Sequence, residues 1–350
     1  MKLTIATDAW EPQVNGVVRT LKMTTRELQR MGYTLQILSP QQFRRIPCPT
    51  YPEIALALTT RERVARLIDE FDPDCLHIAT EGPLGWMARS IAIERDWPFT
   101  TAYHSRFPEY VHARFRLPTR WSYALLRKFH NAAHATLAPT PAIIDDLRER
   151  GFTRATLWTR GVNHELFRPD GSRVERGAAP VFLYVGRLAV EKQVHRFLEL
   201  DLPGEKWVAG VGPAMAKLKA RFPQARWFGL LDGDSLAAVY RSADVMVFPS
   251  VTDTFGLVMV ESMACGTPVA AYPVPGPLDV VGRDSEGGAL HEDLRLACLG
   301  ALALPREGVL RHAQQFTWAV ATQQFAQALK PWKRQAAVSS TTARASIPCP

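Results

Sequence analysis

Apolar residues along this chain come in short runs rich in β-branched side chains. A longer stretch follows each run, in which they recur every three or four positions. Leu3–Thr7 is the first run; after it Val17, Leu21, Thr24, Leu28 and Met31 mark one face of a helix that Gly32 stops. Further strands are predicted at Thr34–Leu38, Asp74–Ala79, Phe99–Tyr103 and Ala135–Pro139, with helical stretches between them. From Arg168 to Pro180 the rhythm pauses in a polar, turn-rich segment. It resumes with Val181–Val185, Trp207–Ala209, Ala225–Phe228, Val245–Phe248 and Pro268–Ala271. Strands alternating with helices make βαβ units around a parallel sheet. The pattern predicts an α/β protein of two doubly wound domains, 1–170 and 171–312, in preference to one large sheet. A last helix, 313–334, is expected to return to the first domain, and 335–350 reads as a disordered tail.

Ligands of doubly wound sheets bind beyond the carboxyl ends of the strands, so two facing sheets enclose a deep cleft. The segments with chemical potential fall at such ends. In Phe248–Val269 a strand runs into a polar loop, a helix begins around Phe255–Gly256, and Gly266 ends it. Amide groups at a helix N-terminus, with a glycine permitting close approach, suit a phosphate. Asp253 and Glu261, spaced acid-x7-acid, can accept hydrogen bonds from a hydroxyl-rich ligand. A capping Asp and a Glu on a helix face account equally well for the same residues. In Tyr184–Lys192 a strand ends at Gly186, and Arg187 and Lys192 follow within the loop. They can reach a diphosphate, the arginine as a planar fork and the lysine as a point charge; as an isolated pair they would be two solvated surface cations. Asn15-Gly16 opens the first helix but lacks the GxGxxG dinucleotide fingerprint, which disfavours a nicotinamide enzyme. Glu81–Gly85 and Tyr103–Tyr110 close two other strands, and His104 there is either structural or an acid, base or hydrogen-bonding group.

Composition narrows the partners. The 350 residues are 47% hydrophobic, which excludes disordered and fibrous classes, and the net charge of +8 asks for an anionic partner. Five scattered cysteines without a CxxC pair argue against a disulfide framework or zinc site and fit a reducing cytoplasm. Asp8 interrupts the first apolar run too early for a signal peptide, and the longest weakly apolar stretch, Leu296–Leu304, is too short to span a membrane.

Together the motifs resemble the GT-B-fold glycosyltransferases of family 4, which retain the anomeric configuration of a nucleotide sugar. The resemblance covers about 1–330. It rests on Asn15-Gly16-Val17, Pro139-Thr140, Gly161-Val162-Asn163…Phe167, Gly186-Arg187…Glu191-Lys192 and Pro249-Ser250…Asp253-Thr254-Phe255-Gly256…Glu261, in the family's order. The family's usual first glutamate is Asp253 here, a carboxylate one methylene shorter. With Glu81–Gly85, His104…Phe107-Pro108…Tyr110 and Phe43–Pro52, the chain looks most like the glycolipid synthases and lipid-directed mannosyltransferases.

The resemblance implies roles. Arg187 and Lys192 bind the donor diphosphate, Glu261 holds the ribose, and Asp253 with the backbone of Phe255, Gly256 and Leu257 holds the sugar. Gly16 lets the first domain approach the phosphates, and His104 lies beside the reacting carbon. The acceptor hydroxyl then attacks on the leaving-group face and gives its proton to the departing phosphate oxygen. No metal and no other cofactor is expected, because cations and helix N-termini take the metal's place.

The acceptor is read from 101–130, where Arg106, Arg114, Arg116, Arg120, Arg127 and Lys128 stand against Glu109 alone. In a helix over 119–131, Trp121, Leu125 and Phe129 share one face with Arg120, Arg127 and Lys128 beside it. That layout suits a helix lying on an anionic membrane, although aromatics facing the core would give the same spacing. No recognition module supports nucleic acid. The expectation is a cytoplasmic protein, peripheral on the inner membrane face, that moves a hexose from a nucleoside-diphosphate sugar, UDP-linked, to a lipid such as diacylglycerol. The rivals are a GDP-mannose-dependent mannosyltransferase on a lipid or lipoglycan, a transferase for a small soluble acceptor, and a catalytically silent sugar-nucleotide binder.

Overall fold

The computed structural model describes residues 1–333 apart from Val14, Pro49, Thr50 and Asp284; the expected tail at 335–350 lies outside them. In the first half the strands are β1 (Lys2–Ala6), β2 (Thr34–Leu38), β3 (Arg44–Cys48), β4 (Tyr51–Leu58), β5 (Cys75–Ile78), β6 (Phe99–Ala102), β7 (Ala135–Ala138) and β8 (Ala155–Leu157). The helices between them are α1 (Gly16–Arg30), α2 (Arg61–Phe71), α3 (Pro83–Glu94), α4 (Phe107–Phe115), α5 (Thr119–His130) and α6 (Pro141–Glu149). The second half has β9 (Val181–Val185), β10 (Glu205–Ala209), β11 (Arg226–Gly229), β12 (Val245–Phe248), β13 (Val269–Ala271) and β14 (Gly288–Leu290). Its helices are α7 (Val194–Leu198), α8 (Met215–Arg221), α9 (Gly233–Ser242), α10 (Leu257–Ala264), α11 (Pro277–Val280), α12 (Leu294–Leu302), α13 (Arg306–Ala313) and α14 (Trp318–Ala328).

Two six-stranded sheets result, ordered β2-β1-β5-β6-β7-β8 and β11-β10-β9-β12-β13-β14, parallel throughout. Helices cover both faces, so central strands read as unbroken apolar runs; all five residues of β9 are buried. The opening helix shows how sequence becomes structure. Asn15 caps α1 by accepting from the Val18 amide at 3.0 Å, and the buried stripe is Val18, Leu21, Thr24 and Leu28. Gly32, at φ 85°, turns the chain out of the helix.

Four strands escape the sequence pattern. β8 and β14 are three residues each, too short to alternate visibly, and both form a sheet edge. The antiparallel hairpin β3–β4 carries Pro47 and two arginines, which read as a loop; a two-stranded ribbon with free edges tolerates them.

Among the described residues the chain passes between the domains twice, and the passages touch. Val162 bridges to Thr317 in parallel, and its amide donates to the Phe316 carbonyl at 3.2 Å. A Cβ on Gly161 would lie 2.3 Å from the Trp318 nitrogen, so only glycine allows this approach. Beyond it α14 packs on α1 of the first domain, with Phe325 edge-on to His77 and against Trp158.

Candidate functional site

The crevice of a doubly wound sheet opens where adjacent strands send their connections to opposite sides. In the first sheet this is between β1 and β5, and in the second between β9 and β12. The loops after β9 and β12 are the segments holding Arg187, Lys192 and Asp253, so the topology itself brings these residues to one place.

Lys192 Nζ donates to Asp253 Oδ1 at 2.5 Å, and both side chains are largely buried. Burial alone would push the ammonium's pKa down; Asp253, with Tyr110 and Tyr184, more than offsets this and holds Lys192 charged well above its ordinary range. The second Asp253 oxygen is buried without a partner among the described residues. Arg187 is half-buried in the same loop, its carbonyl accepting from the Tyr184 hydroxyl at 2.9 Å. The helix starts at Leu257, slightly later than the sequence suggested, because Gly256 adopts φ 83° as its cap. A Cβ there would press on Phe248 at 2.9 Å. Phe255 turns its ring into the second-domain core against Phe316 and leaves its backbone to the loop.

Glu261, one turn into α10, is buried at 3% exposure. One carboxylate oxygen pairs with Arg19 of α1, and the other accepts from the Tyr240 hydroxyl at 3.1 Å. Burial raises its pKa, and the Arg19 guanidinium works against that rise. Gly16 stands at the same boundary, where a Cβ would lie 3.8 Å from the Leu257 side chain, an ordinary contact.

The opposite wall carries His104, just beyond β6. Its carbonyl accepts from Thr254 Oγ1 at 2.7 Å, joining the two domains beside Asp253. Its Nδ1 faces an Arg160 guanidinium nitrogen at 3.4 Å, and its Nε2 is buried with no partner among the described residues. Burial first, then Arg160, His77 and His130, push the imidazole pKa well below its ordinary value. The ring is therefore neutral near pH 7, a hydrogen-bonding group rather than a resident cation.

Glu81–Gly85 has a packing explanation. Asp8 accepts from the Leu84 amide at 3.0 Å and from Thr80 Oγ1, and a Cβ on Gly82 would lie 2.4 Å from the Asp8 carboxyl. Asp8 thereby caps α3, whose start the segment forms. Among the described residues no group of three or more His, Cys, Asp or Glu gathers as a metal site.

The surface segment departs from the expected layout. In α5, Trp121 and Leu125 are 60% and 52% exposed, but Phe129 is fully buried with Tyr123 and Leu126. Eight residues rotate a helix by about 80° beyond two full turns, enough to carry Phe129 into the core. Arg127 also leaves the outer face, its guanidinium donating to the Arg150 carbonyl at 3.1 Å. Phe115 and Leu117, just before α5, replace Phe129 in the exposed apolar set, and Arg116, Arg120 and Lys128 are exposed beside it. The Arg114 side chain lies outside the described residues.

The contacts of four residues at the cleft had no warning in the sequence. Arg19 is one cation among several on the polar side of α1, and Tyr240 belongs to the apolar pattern of α9. Arg160 and Thr254 lie within or next to motifs, where only the fold reveals what they touch.

Residues 14–166 match the model described as Glycosyltransferase Family 4, and 179–303 match Glycosyl transferases group 1. The chain is 32% identical over 304 residues to sulfoquinovosyl transferase SQD2 of Arabidopsis thaliana; the match covers 78% of this chain and 60% of that protein. It is 29% identical to a GDP-mannose-dependent alpha-mannosyltransferase of Mycobacterium tuberculosis, covering 80% of this chain and 81% of the relative. An alpha-monoglucosyldiacylglycerol synthase of Streptococcus pneumoniae is 25% identical, with 86% and 78% covered. Sucrose-phosphate synthase from Thermosynechococcus elongatus shares the fold, with a TM-score of 0.72 and 20% identity over 93% of this chain and 97% of that one.

Proposed function

The chain belongs to glycosyltransferase family 4, and on that premise we propose that it moves a hexose, with retention and without a metal, from a nucleoside-diphosphate sugar to a membrane lipid such as diacylglycerol. The observation that carries this reading is the convergence of Lys192, Asp253 and the start of α10 on one wall with His104 on the other, tied by Thr254. Arg187 and Lys192 take the diphosphate, which displaces Lys192 from Asp253 and frees that carboxylate for the sugar hydroxyls. The backbone of Phe255, Gly256 and Leu257 lines the sugar, Gly16 faces the phosphates from the first domain, and Glu261 takes the ribose. His104 offers its unpartnered Nε2–H to the sugar. The bond from the anomeric carbon to the diphosphate oxygen breaks, and one to the acceptor oxygen forms on the same face. The leaving oxygen takes the acceptor's proton. Charge on the departing diphosphate is met by fixed cations and amide dipoles.

A lipid acceptor is supported by the exposed set Phe115, Leu117, Trp121 and Leu125 with Arg116, Arg120 and Lys128 around it. Each cation near an anionic bilayer contributes about 1 kcal/mol. No helix among the described residues is long and apolar enough to cross a membrane, so the reading is peripheral attachment to the inner face. The names of the diacylglycerol and sulfoquinovosyl relatives agree with a glucose or a related sugar and, in the first, with a diacylglycerol lipid; the donor is read as UDP-linked. The mannosyltransferase relatives favour a second reading, transfer from GDP-mannose to a lipid or lipoglycan.

The test supplies UDP-, GDP- and ADP-sugars together with diacylglycerol vesicles, and follows nucleotide release and glycolipid. Glycolipid from a UDP-hexose is expected. Product from GDP-mannose alone selects the second reading; product only with soluble acceptors overturns the lipid assignment, and none from any donor overturns the transferase reading.

A further inference from the structure

Glu261 is a buried carboxylate, and among the described residues the one cation paired with it comes from the other domain. Within its own domain α10 is packed by α9, α13, β12 and β13. Neither strand carries an ionisable residue. On α13, Arg306 turns to Asp244, Arg311 to Glu286 and His312 to the Val280 carbonyl, while Glu307 lies in that helix's exposed first turn. On α9, Tyr240 donates to Glu261; at the C-cap of α10, Cys265 lies close. Burial holds the tyrosine well above its ordinary range and the cysteine at about 12, so both are neutral. The remaining ionisable residues of α9, Asp234 and Arg241, face its first turn and the linker. That leaves Arg19, which projects from α1 onto one Glu261 oxygen.

We propose that Arg19 is a positioning residue of the donor site, delivered by the first domain to hold Glu261 ionised and aimed at the ribose diol. The inference rests on the reading that Glu261 takes the ribose. A carboxylate has about four acceptor positions. Arg19 and Tyr240 use one on each oxygen, so each oxygen retains one for a hydroxyl. The pair therefore does not plug the site. It keeps the carboxylate in the form that accepts from both hydroxyls, whereas a protonated Glu261 would present a donor to one of them. Ribose recognition by the second domain is thus complete only while α1 lies against it.

Without Arg19, burial acts on Glu261 unopposed, its pKa rises further, and the acid form prevails at lower pH. Binding of the diol then weakens at low pH and recovers as pH rises. In the wild-type chain the Arg19 guanidinium opposes burial, and the recovery is smaller.

The test measures UDP, GDP and ADP binding to the full chain by calorimetry from pH 6 to 9, with the 2′,3′-dideoxy diphosphates as probes lacking the diol. For the diphosphate that binds, Arg19→Met is expected to lose on the order of tenfold or more in affinity at pH 6.5. The loss should shrink toward pH 9, be mostly rescued in Arg19→Lys, and vanish for the dideoxy probe. Glu261→Ala separates the two levels of the reading. If that variant binds the diphosphate as wild type does, or if no diphosphate binds wild type, the ribose reading itself fails and the inference with it. If Glu261→Ala is weakened while Arg19→Met is not, or if Arg19→Met loses affinity equally at every pH and for the dideoxy probe, the inference alone is overturned.

Discussion

Lys192 pairs with one oxygen of Asp253 within the cleft, and this is why an ammonium can rest in so enclosed a place. The pairing makes a sharp separation between stability and function. Lys192→Ala leaves Asp253 without its cation, at a cost of about 1–3 kcal/mol of folding stability. The same change removes a charge aimed at the leaving diphosphate, for which a loss on the order of a hundredfold or more in kcat/KM is expected. Denaturant titration beside steady-state kinetics checks both, and near-wild-type turnover would refute the phosphate role. His77 offers a second residue-level test. It is buried on β5, bonded to Thr100 Oγ1 at 2.8 Å, and burial followed by Arg160 lowers its pKa to about 3. An unfolded histidine titrates near 6.5, so the unfolded chain binds the extra proton between these values. Its contribution to stability is present above about 6.5 and is lost as pH falls toward 3. The melting temperature should fall on acidification from pH 7 to 4, with a shallower slope in His77→Asn; equal slopes would assign the loss to other groups.

At the scale of elements, α5 shows what periodicity reveals and what it leaves open. The helix and its amphipathic character were legible over 119–131, and the structure has it at Thr119–His130. Which arc faces outward was not legible, because Trp121, Leu125 and Phe129 span a wide enough arc to straddle the boundary between core and solvent. The outer face retains Arg120 and Lys128, while Arg127 is tied to the α6–β8 turn. Reversing Arg120 and Lys128 to Glu is therefore expected to abolish sedimentation with anionic vesicles and leave the circular dichroism spectrum unchanged. Reversal at Arg127 should instead lower the melting temperature. Unchanged sedimentation in the first variant would refute membrane contact through this face. The donor loops were readable for a different reason. Strand ends, glycines and charges occur together there in one stretch of chain, so local sequence and topology point the same way. Arg19 gave no such signal, since its meaning lies on the other domain.

For the whole molecule, the division into two doubly wound sheets was legible because each half restarts with its own buried strand. Contacts across the cleft were not, since they join residues far apart in the chain: Thr254 with His104, Arg19 with Glu261, and the Ala142 amide with Asp279 at 3.2 Å. A single such hydrogen bond contributes about 1 kcal/mol. Thr254→Val should accordingly lower kcat/KM for the donor by roughly fivefold while the melting temperature scarcely moves. A loss of melting temperature in proportion to activity would mean that the contact serves folding and not the assembled cleft.

The paired passages near Val162 and Thr317 bear on mechanics. Two bodies joined by one strand of chain can swivel, tilt and twist independently. Here two strands cross side by side and are bridged to each other, and the second continues into a helix fastened on the far body. Three rotational freedoms are thereby reduced toward one, a swing about the line through the crossings, as a door has when hung on two pins. Opening such a door changes how wide the cleft stands without changing which residue faces which across it.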